Sequence, residues 1–342
     1  MQSPSPKKMF NKKYPFYTSS SNFMKDHFKK FSIFCKKKFL NKNSFILEIG
    51  SNDGTFLENF NKKKSFGFEP SKSVHQAALK KNINSFNLFF NNKNISNFRD
   101  YYKKFDLVVG SNVFCHIPNQ RDLIKSIDKL LSKNGTLIFE EPYLGSMYKK
   151  ISYDQIYDEH IYMFSATSIK KIYKIFGFKL IDAIPQPTHG GSMRYILKRE
   201  GSQKISKRLQ NIYKNEMKNN IDNYKGCLKF KNLVQNSKSK LIKKLKKIKS
   251  QNKTICGYGA TSKSTTILNY CNIGPETIDC IFDTTPDKIG KLSPGMHIPI
   301  KNYKYFKKFK YENIFLFAWN HKKEILRKER KLKNIRWITH LN

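Results

Sequence analysis

Residues Phe45–Pro70 read FILEIGSNDGTFLENFNKKKSFGFEP. Phe45 to Ile49 is a short apolar run carrying one acid, Glu48. Gly50 and Gly54 bracket a polar turn, and Phe56, Leu57 and Phe60 follow at helical spacing. A second short run, Ser65 to Phe68, ends at Glu69. The order is strand, glycine turn, helix, strand, acid. Such a turn lets a ligand approach backbone N–H groups closely, because glycine puts no side chain in the way. Glu69 stands 21 residues after Glu48, where an acid at the tip of the second strand of a nucleoside-binding α/β fold meets ribose hydroxyls.

The glycine spacing narrows the ligand. A dinucleotide fingerprint is G-x-G-x-x-G, whereas this turn is E-x-G-x-x-x-G. No Gly-Lys-Ser/Thr follows, which excludes a P-loop. The pattern resembles motif I of class I S-adenosylmethionine methyltransferases, where no pyrophosphate has to be cradled. On that resemblance Glu48, Gly50, Ser51, Asn52, Gly54 and Glu69 are expected to hold S-adenosylmethionine. Phe89, at the end of a third strand, and Asn112, past a fourth, join them. The bland alternative is a strand-turn-helix unit with an ordinary glycine turn.

At 342 residues the chain has room for one large or two medium domains. Its formal charge of +41 comes mostly from 58 lysines against 8 arginines, spread along the whole length. A nucleic-acid binder more often concentrates Arg and Lys in one stripe. No specific nucleic-acid partner is therefore expected, only a general attraction to anionic ligands. The six cysteines form no C-x-x-C pair, so neither a zinc knuckle nor a disulfide framework is indicated, and no metal is expected. No apolar run approaches the roughly 18 residues of a membrane span, and no signal peptide opens the chain. A reduced, cytoplasmic protein is the expectation.

Residues 1–13 are rich in Pro, Ser and Lys and are expected to be mobile. The aromatic-hydroxyl stretch from Tyr14 through Tyr17 precedes a helix expected over Asn22–Phe39, and serves either as a lid over a ligand or as a packed arm. Further strands are expected at Ser85–Phe90, Asp106–Gly110, Gly135–Glu140, Gly177–Ile184 and Ser192–Lys198, with helices between. This alternation gives one α/β sheet of about seven strands. Ligands lie beyond the carboxyl ends of such strands, which brings Asn112 and His116 near cofactor or substrate. His116 reads equally well as a plain loop residue.

From Ser202 to Lys249 the chain is Lys-rich, lacks Pro and repeats apolar residues at three- and four-residue steps, as one or two long helices would. A second α/β unit begins at Thr254, with strands at Ile255, Ile278–Asp283 and Asn313–Ala318. Its turn, Gly257-Tyr-Gly259-Ala, lacks the third glycine of a dinucleotide motif. With Lys263 this turn either holds a phosphate or is purely structural.

Two clusters carry possible chemistry. Tyr157-Asp-Glu159-His160 gathers acids, a phenol and an imidazole that titrates near neutral pH. His189-Gly-Gly-Ser192 is a turn into the last strand. Their bland readings are a polar surface loop and a hairpin turn.

The segments LEIGSNDGTFL, GFEPS, SNVFCHIPN, EEPYL, IYDEHIYMFS, HGGSMRYI and GYGATSKSTTILNY occur in this order. Together, over roughly Tyr14 to Ile300, they resemble the C-methyltransferases of nucleotide-linked 4-keto deoxysugars. That family has an N-terminal zinc-binding domain, a central S-adenosylmethionine domain and a C-terminal Rossmann-like domain. The present chain departs at its start, where 13 residues cannot hold a four-cysteine zinc site.

The resemblance implies a class I methyltransferase fold plus a second, smaller Rossmann-like α/β domain. The expected division is an arm and helix at 1–44, the methyltransferase domain at 45–200, a helical connector at 201–252 and the C-terminal domain at 253–342. It implies Tyr157, Glu159 and His160 as the catalytic trio, with His160 as base, Glu159 orienting it and Tyr157 as hydrogen-bond donor or proton relay. Tyr14, Tyr17, His116, Glu141, Tyr143, His189 and Lys263 are expected to contact the substrate. The expected protein is a cytoplasmic monomer acting on a small molecule. Its competitors are an O- or N-methyltransferase of another small molecule and a truncated, non-catalytic binding paralogue.

Overall fold

The computed structural model describes residues 5–11, 14, 16–308, 311–332 and 334–341. The chain divides into two compact units, Met1–Leu144 with Asp158–Asp222, and Gly145–Tyr157 with Asn223–Asn342.

The first unit is built on β1 (Ile46–Ile49), β2 (Ser65–Phe68), β3 (Asn84–Phe86), β4 (Phe105–Ser111), β5 (Leu131–Pro142), β6 (Phe178–Gln186) and β7 (Ser192–Arg199). They form one sheet in the order β3-β2-β1-β4-β5-β7-β6. All strands run parallel except β7, which lies antiparallel between β5 and β6. This is the class I methyltransferase fold that the sequence leads one to expect. The chain begins at the central β1, moves out to β3 and returns to β4, so the strand order reverses between β1 and β4. Ligands of open α/β sheets bind at that reversal, beyond the carboxyl ends of the strands.

Both faces of the sheet are covered, and successive side chains alternate between them. Leu47, Ile49 and Val108 join Phe114 and Phe139 in one core. Ile46, Leu107 and Val109 join Phe28, Phe31 and Phe56 in the other. The helix Asn22–Phe39 covers the second face with Phe28, Phe31 and Cys35 at three- and four-residue steps. It begins where the Ser21 side chain accepts the Met24 amide, an ordinary N-cap. Its docking is pinned by a buried polar group: Arg194 Nε donates to Glu140 Oε1 at 2.7 Å, and His27 Nε2 lies 2.6 Å from Glu140 Oε2. The Arg194 guanidinium also lies 3.8 Å from the centre of the Phe31 ring.

Several expectations need correction. No helix follows the first glycine turn; Leu57–Asn59 is a single 3-10 turn. The Asn59 side chain donates to the carbonyls of Thr55 and Phe56, competing with the ladder a longer helix would need. β3 stops at Phe86 rather than reaching Phe90, because the chain turns as Asn87 Nδ2 donates to the Glu69 and Pro70 carbonyls. Residues 1–13 include one helical turn, Pro6–Met9, with proline in its first turn; residues 1–4, 12 and 13 lie outside the described residues. The helices of the 201–252 stretch are shared between the units, Lys207–Lys218 in the first and Tyr224–Lys249 in the second.

The second unit holds an all-parallel sheet in the order β10-β9-β8-β11-β12, from β8 (Ile255–Tyr258), β9 (Ile281–Asp283), β10 (Ile300–Asn302), β11 (Asn313–Leu316) and β12 (Arg336–Ile338). β10 and β12, three residues each, are strands that the sequence reading does not include. Gly145–Tyr157 belongs to this unit. Within it, the fully buried Asp154 accepts from Trp319 Nε1 at 2.6 Å and from His340 Nε2 at 3.1 Å. No helix among the described residues is long and apolar enough to cross a membrane.

Candidate active site

Gly50 opens the first glycine turn with φ +69°. A Cβ there would come within 2.7 Å of Val113, so glycine is needed both for the backbone angle and for the close approach of the 113–116 loop. Glu69, at the tip of β2, closes the turn from the other side. Its carboxylate accepts the Asn52 amide at 3.0 Å and the Ser71 amide at 2.8 Å. A carboxylate has about four acceptor positions, so Glu69 keeps capacity for a ligand.

In a chain of charge +41, this turn gathers three buried acids, Glu48, Asp53 and Glu69. Burial pushes Glu48 far above the usual carboxylate range, and the charges of Asp53 and Glu69 push it further. Burial also raises Glu69, against the pull of the Ser71 and Asn52 hydrogen bonds. Burial acts on Asp53 in the same sense. There it is outweighed by hydrogen bonds from Ser19 and Thr55 and by Lys81, whose Nζ is 3.6 Å away, so Asp53 is held low. Three buried polar atoms around the turn, Glu48 Oε2, Ser51 Oγ and Asn112 Oδ1, have no hydrogen-bond partner among the described residues. Asn112 is itself held with φ +53° as its amide donates to the Glu140 carbonyl at 2.7 Å. Phe89 is half-buried beyond the end of β3.

Among the described residues, Phe16, Thr18 and Ser19 tie the aromatic-hydroxyl stretch across this turn. Thr18 N donates to Asn52 Oδ1 at 2.8 Å, Ser19 N to Asp53 Oδ2 at 3.0 Å, and Asn52 Nδ2 to the Phe16 carbonyl at 3.2 Å. Burial drives the Tyr14 phenol up, and the charges of Glu159 and Glu69 add to it. Tyr14 therefore lies within electrostatic reach of both the turn and the 159–160 loop. Tyr17 is half-buried beside it, its carbonyl accepting from Ser20 Oγ.

Two loops meet next to the turn. Glu141, fully buried, accepts the amides of Val113 at 3.0 Å, Phe114 at 2.7 Å and Cys115 at 3.4 Å. Burial brings its carboxyl up to about 7. His116 follows, and its Nδ1 donates to the Glu159 carbonyl at 2.6 Å. The Tyr162 amide donates to the Cys115 carbonyl, and the Tyr162 phenol to the Pro118 carbonyl at 2.6 Å. These bonds bring the His116 and His160 rings to 5.2 Å between centroids. Both histidines are buried, and burial lowers His116 below the ordinary histidine value.

Of the residues read as substrate contacts, Glu141 is instead a positioning group, taken up by three backbone amides. Tyr143 is also engaged inside the fold. Its phenol donates at 2.8 Å to the buried Glu216, which further accepts the Ala166 and Thr167 amides at the start of the helix Ala166–Lys174. His189 sits half-buried at φ +51° in the turn Thr188–Gly190. Glu159 is half-buried in the first unit, and Tyr157 is the last residue of the segment assigned to the second.

In the second unit Lys263 opens the helix Ser262–Cys271, with Nζ 4.7 Å from the centre of the Trp319 ring. Burial lowers its ammonium while Asp154 opposes that shift. Asp283 Oδ2 already accepts the Ala260 amide in this turn at 2.7 Å. Both internal engagements favour the structural alternative for the Gly257–Ala260 turn. Sequence reasoning missed Asp53, although it stands in the opening stretch, and Cys115, although it adjoins His116.

Residues 21–183 match the model of a methyltransferase domain, and residues 187–341 match that of a C-methyltransferase C-terminal domain. The chain is 24% identical to the C-methyltransferase NovU of Streptomyces niveus over 321 residues, covering 93% of this chain and 76% of that protein. Among solved structures it is similar to an S-adenosylmethionine-dependent methyltransferase from Clostridium acetobutylicum, at 16% identity and TM-score 0.42, covering 54% of this chain and 94% of that one. It is also similar to the magnesium protoporphyrin IX methyltransferase of Synechocystis, at 14% identity and TM-score 0.38, covering 52% and 79%. The two matches follow one another along the chain and, with the C-methyltransferase relative, support an S-adenosylmethionine-dependent methyltransferase.

Proposed function

We propose that this C-methyltransferase homologue methylates carbon 3 of a nucleotide-linked 4-keto deoxysugar, using S-adenosylmethionine and a substrate enolate that His160 generates. The observation that carries the reading is the buried pairing of His160 with His116 next to a glycine turn lined by three acids. A positively charged ligand at that turn relieves the mutual repulsion of Glu48, Asp53 and Glu69, and a ligand with hydroxyl and amine donors satisfies the orphaned oxygens of Glu48 and Asn112. S-adenosylmethionine fits on both counts, carrying a sulfonium, an ammonium and ribose hydroxyls. Gly50 would face its methionine part and Glu69 its ribose. When bound it supplies an electrophilic methyl group.

The chain's own residues must then make a carbon nucleophilic. A 4-keto group acidifies the adjacent C3–H. His160 takes that proton, and a donor holds the growing enolate oxygen. Glu159 orients the imidazole through its side chain, and its carbonyl fixes the tautomer of His116. A neutral His116 adds no positive charge beside the imidazolium that forms on His160. Tyr157 supplies the hydrogen bond to the enolate oxygen. Tyr14 and Tyr17 exclude water. We assign the protein to the cytoplasm, as a monomer acting on this small molecule. The test is methyl transfer to a panel of nucleotide-linked 4-keto sugars, read by mass spectrometry; turnover of none of them contradicts the proposal.

Glu69→Ala isolates the cofactor half of the reading. It removes charge-assisted hydrogen bonds, each contributing about 1.5–3 kcal/mol. The dissociation constant for S-adenosylmethionine, measured by calorimetry, should rise about tenfold or more. An unchanged constant would remove Glu69 from the site.

A further inference from the structure

We infer that Cys115, His116 and His160 form a binding site for a soft divalent cation of the zinc class, and that an ion held there shuts off methyl transfer. The inhibitory half rests on the reading of His160 as base. The three side chains are buried, and each offers a ligand atom, all within 4.8 Å of one another. A thiolate with two imidazoles is a donor set suited to zinc, which holds three protein ligands and one open position in many sites. Tetrahedral bonds of about 2.0–2.3 Å place donor atoms roughly 3.3–3.6 Å apart. The site therefore closes on an ion by modest side-chain rotation.

The surroundings support the assignment. The Glu159 carbonyl accepts from His116 Nδ1, which leaves the Nε2 lone pair for a ligand bond. Carbonyl or carboxylate partners of this type orient metal-binding imidazoles. Glu141, beside the thiol, already accepts the Cys115 backbone amide at 3.4 Å, which fixes the residue's place in the loop. On binding, the thiol releases its proton to solvent and the sulfur forms the metal bond. The same event occupies an imidazole nitrogen of His160, which can no longer accept a substrate proton. Loops more than 40 residues apart in sequence build the site, so no C-x-x-C spacing announces it.

The test uses the full chain carrying Cys227→Ser, which removes the exposed thiol, after dialysis against a chelator. Cobalt(II) titration should produce a thiolate-to-cobalt charge-transfer band saturating at one equivalent. Cys115→Ser should abolish the band, and His160→Asn should weaken cobalt and zinc binding by about 100-fold or more, beyond the usual effect of an outer-shell change. The second variant keeps the test valid if the first does not fold. Zinc should inhibit methyl transfer stoichiometrically, with recovery on chelation. A missing band, or one that survives Cys115→Ser, overturns the site whatever the substrate proves to be. A normal cobalt titration with full turnover in the presence of bound zinc overturns the inhibition. Because the spectrum needs no turnover, failure of the sugar panel with an intact cobalt titration counts against the proposed reaction and not against the site.

Discussion

Replacing His160 with asparagine is expected to leave S-adenosylmethionine binding unchanged and to lower turnover about 10²–10⁴-fold, the range a general base contributes. Asparagine is similar in size and still polar, so it tests proton transfer more than packing. A base that forms the substrate enolate also exchanges the C3 proton with solvent deuterium, and exchange requires no methyl donor. His160→Asn should lose this exchange together with turnover. If His160 were structural, the variant would instead melt earlier while exchanging the proton at the wild-type rate. That outcome would move suspicion to His189 or Tyr157. Tyr157→Phe should slow both exchange and transfer, because enolate stabilisation acts on the step the two share. The two losses need not add, since residues that act as one unit rarely do.

Glu140→Ala is expected to cost the fold about 3–5 kcal/mol, the usual consequence of removing one partner from a buried ion pair. Glu140 is 3% exposed and Arg194 is 6% exposed, so the guanidinium would be left buried beside Phe31 without its carboxylate. Burial alone would raise the Glu140 carboxyl, but the His27 hydrogen bond and the Arg194 charge outweigh it and hold it below its ordinary value. A depressed carboxyl stabilises the fold above its unfolded value, and that stabilisation is lost as pH falls through the folded value. The wild-type midpoint in urea should therefore fall on acidification below about pH 4.5, and the variant should show less of this dependence. Arg208, 47% exposed in its pair with Asp182, is the comparison: Arg208→Ala should stay within about 1 kcal/mol. Equal, small losses for both would show that the Glu140 group does not anchor the helix Asn22–Phe39.

What was legible in the sequence was local. The glycine turn, the acid at the tip of β2 and the end residues of the helix Asn22–Phe39 follow from spacing and capping over a few residues. The seven-strand count follows from alternation. Three things were not legible, each because a partner lies far away in the chain. Tyr143 and Glu141 look like site residues beside a strand end. Their acceptors and donors, Glu216 and the amides of Val113 to Cys115, are 73 and 26 to 28 residues away. The Arg194–Glu140–His27 group joins three elements that no periodicity links. Phe56, Leu57 and Phe60 keep helical spacing because all three fill the core against the helix Asn22–Phe39, while Asn59 diverts the backbone. The candidate trio at Tyr157, Glu159 and His160 was readable only through the family resemblance, since acids, phenol and imidazole in one loop do not by themselves distinguish a site from a polar surface.

The central claim is that the methyl group goes to carbon next to a ketone. The most direct measurement uses S-adenosylmethionine labelled with ¹³C in its methyl group, the panel of nucleotide-linked 4-keto sugars, and nuclear magnetic resonance of the product. The label should appear as a methyl bonded to C3, coupled to the ring carbons, with the C3 proton of the starting sugar released to solvent. A label found on oxygen or nitrogen, or transfer that leaves the original C3 proton in place, would contradict the account.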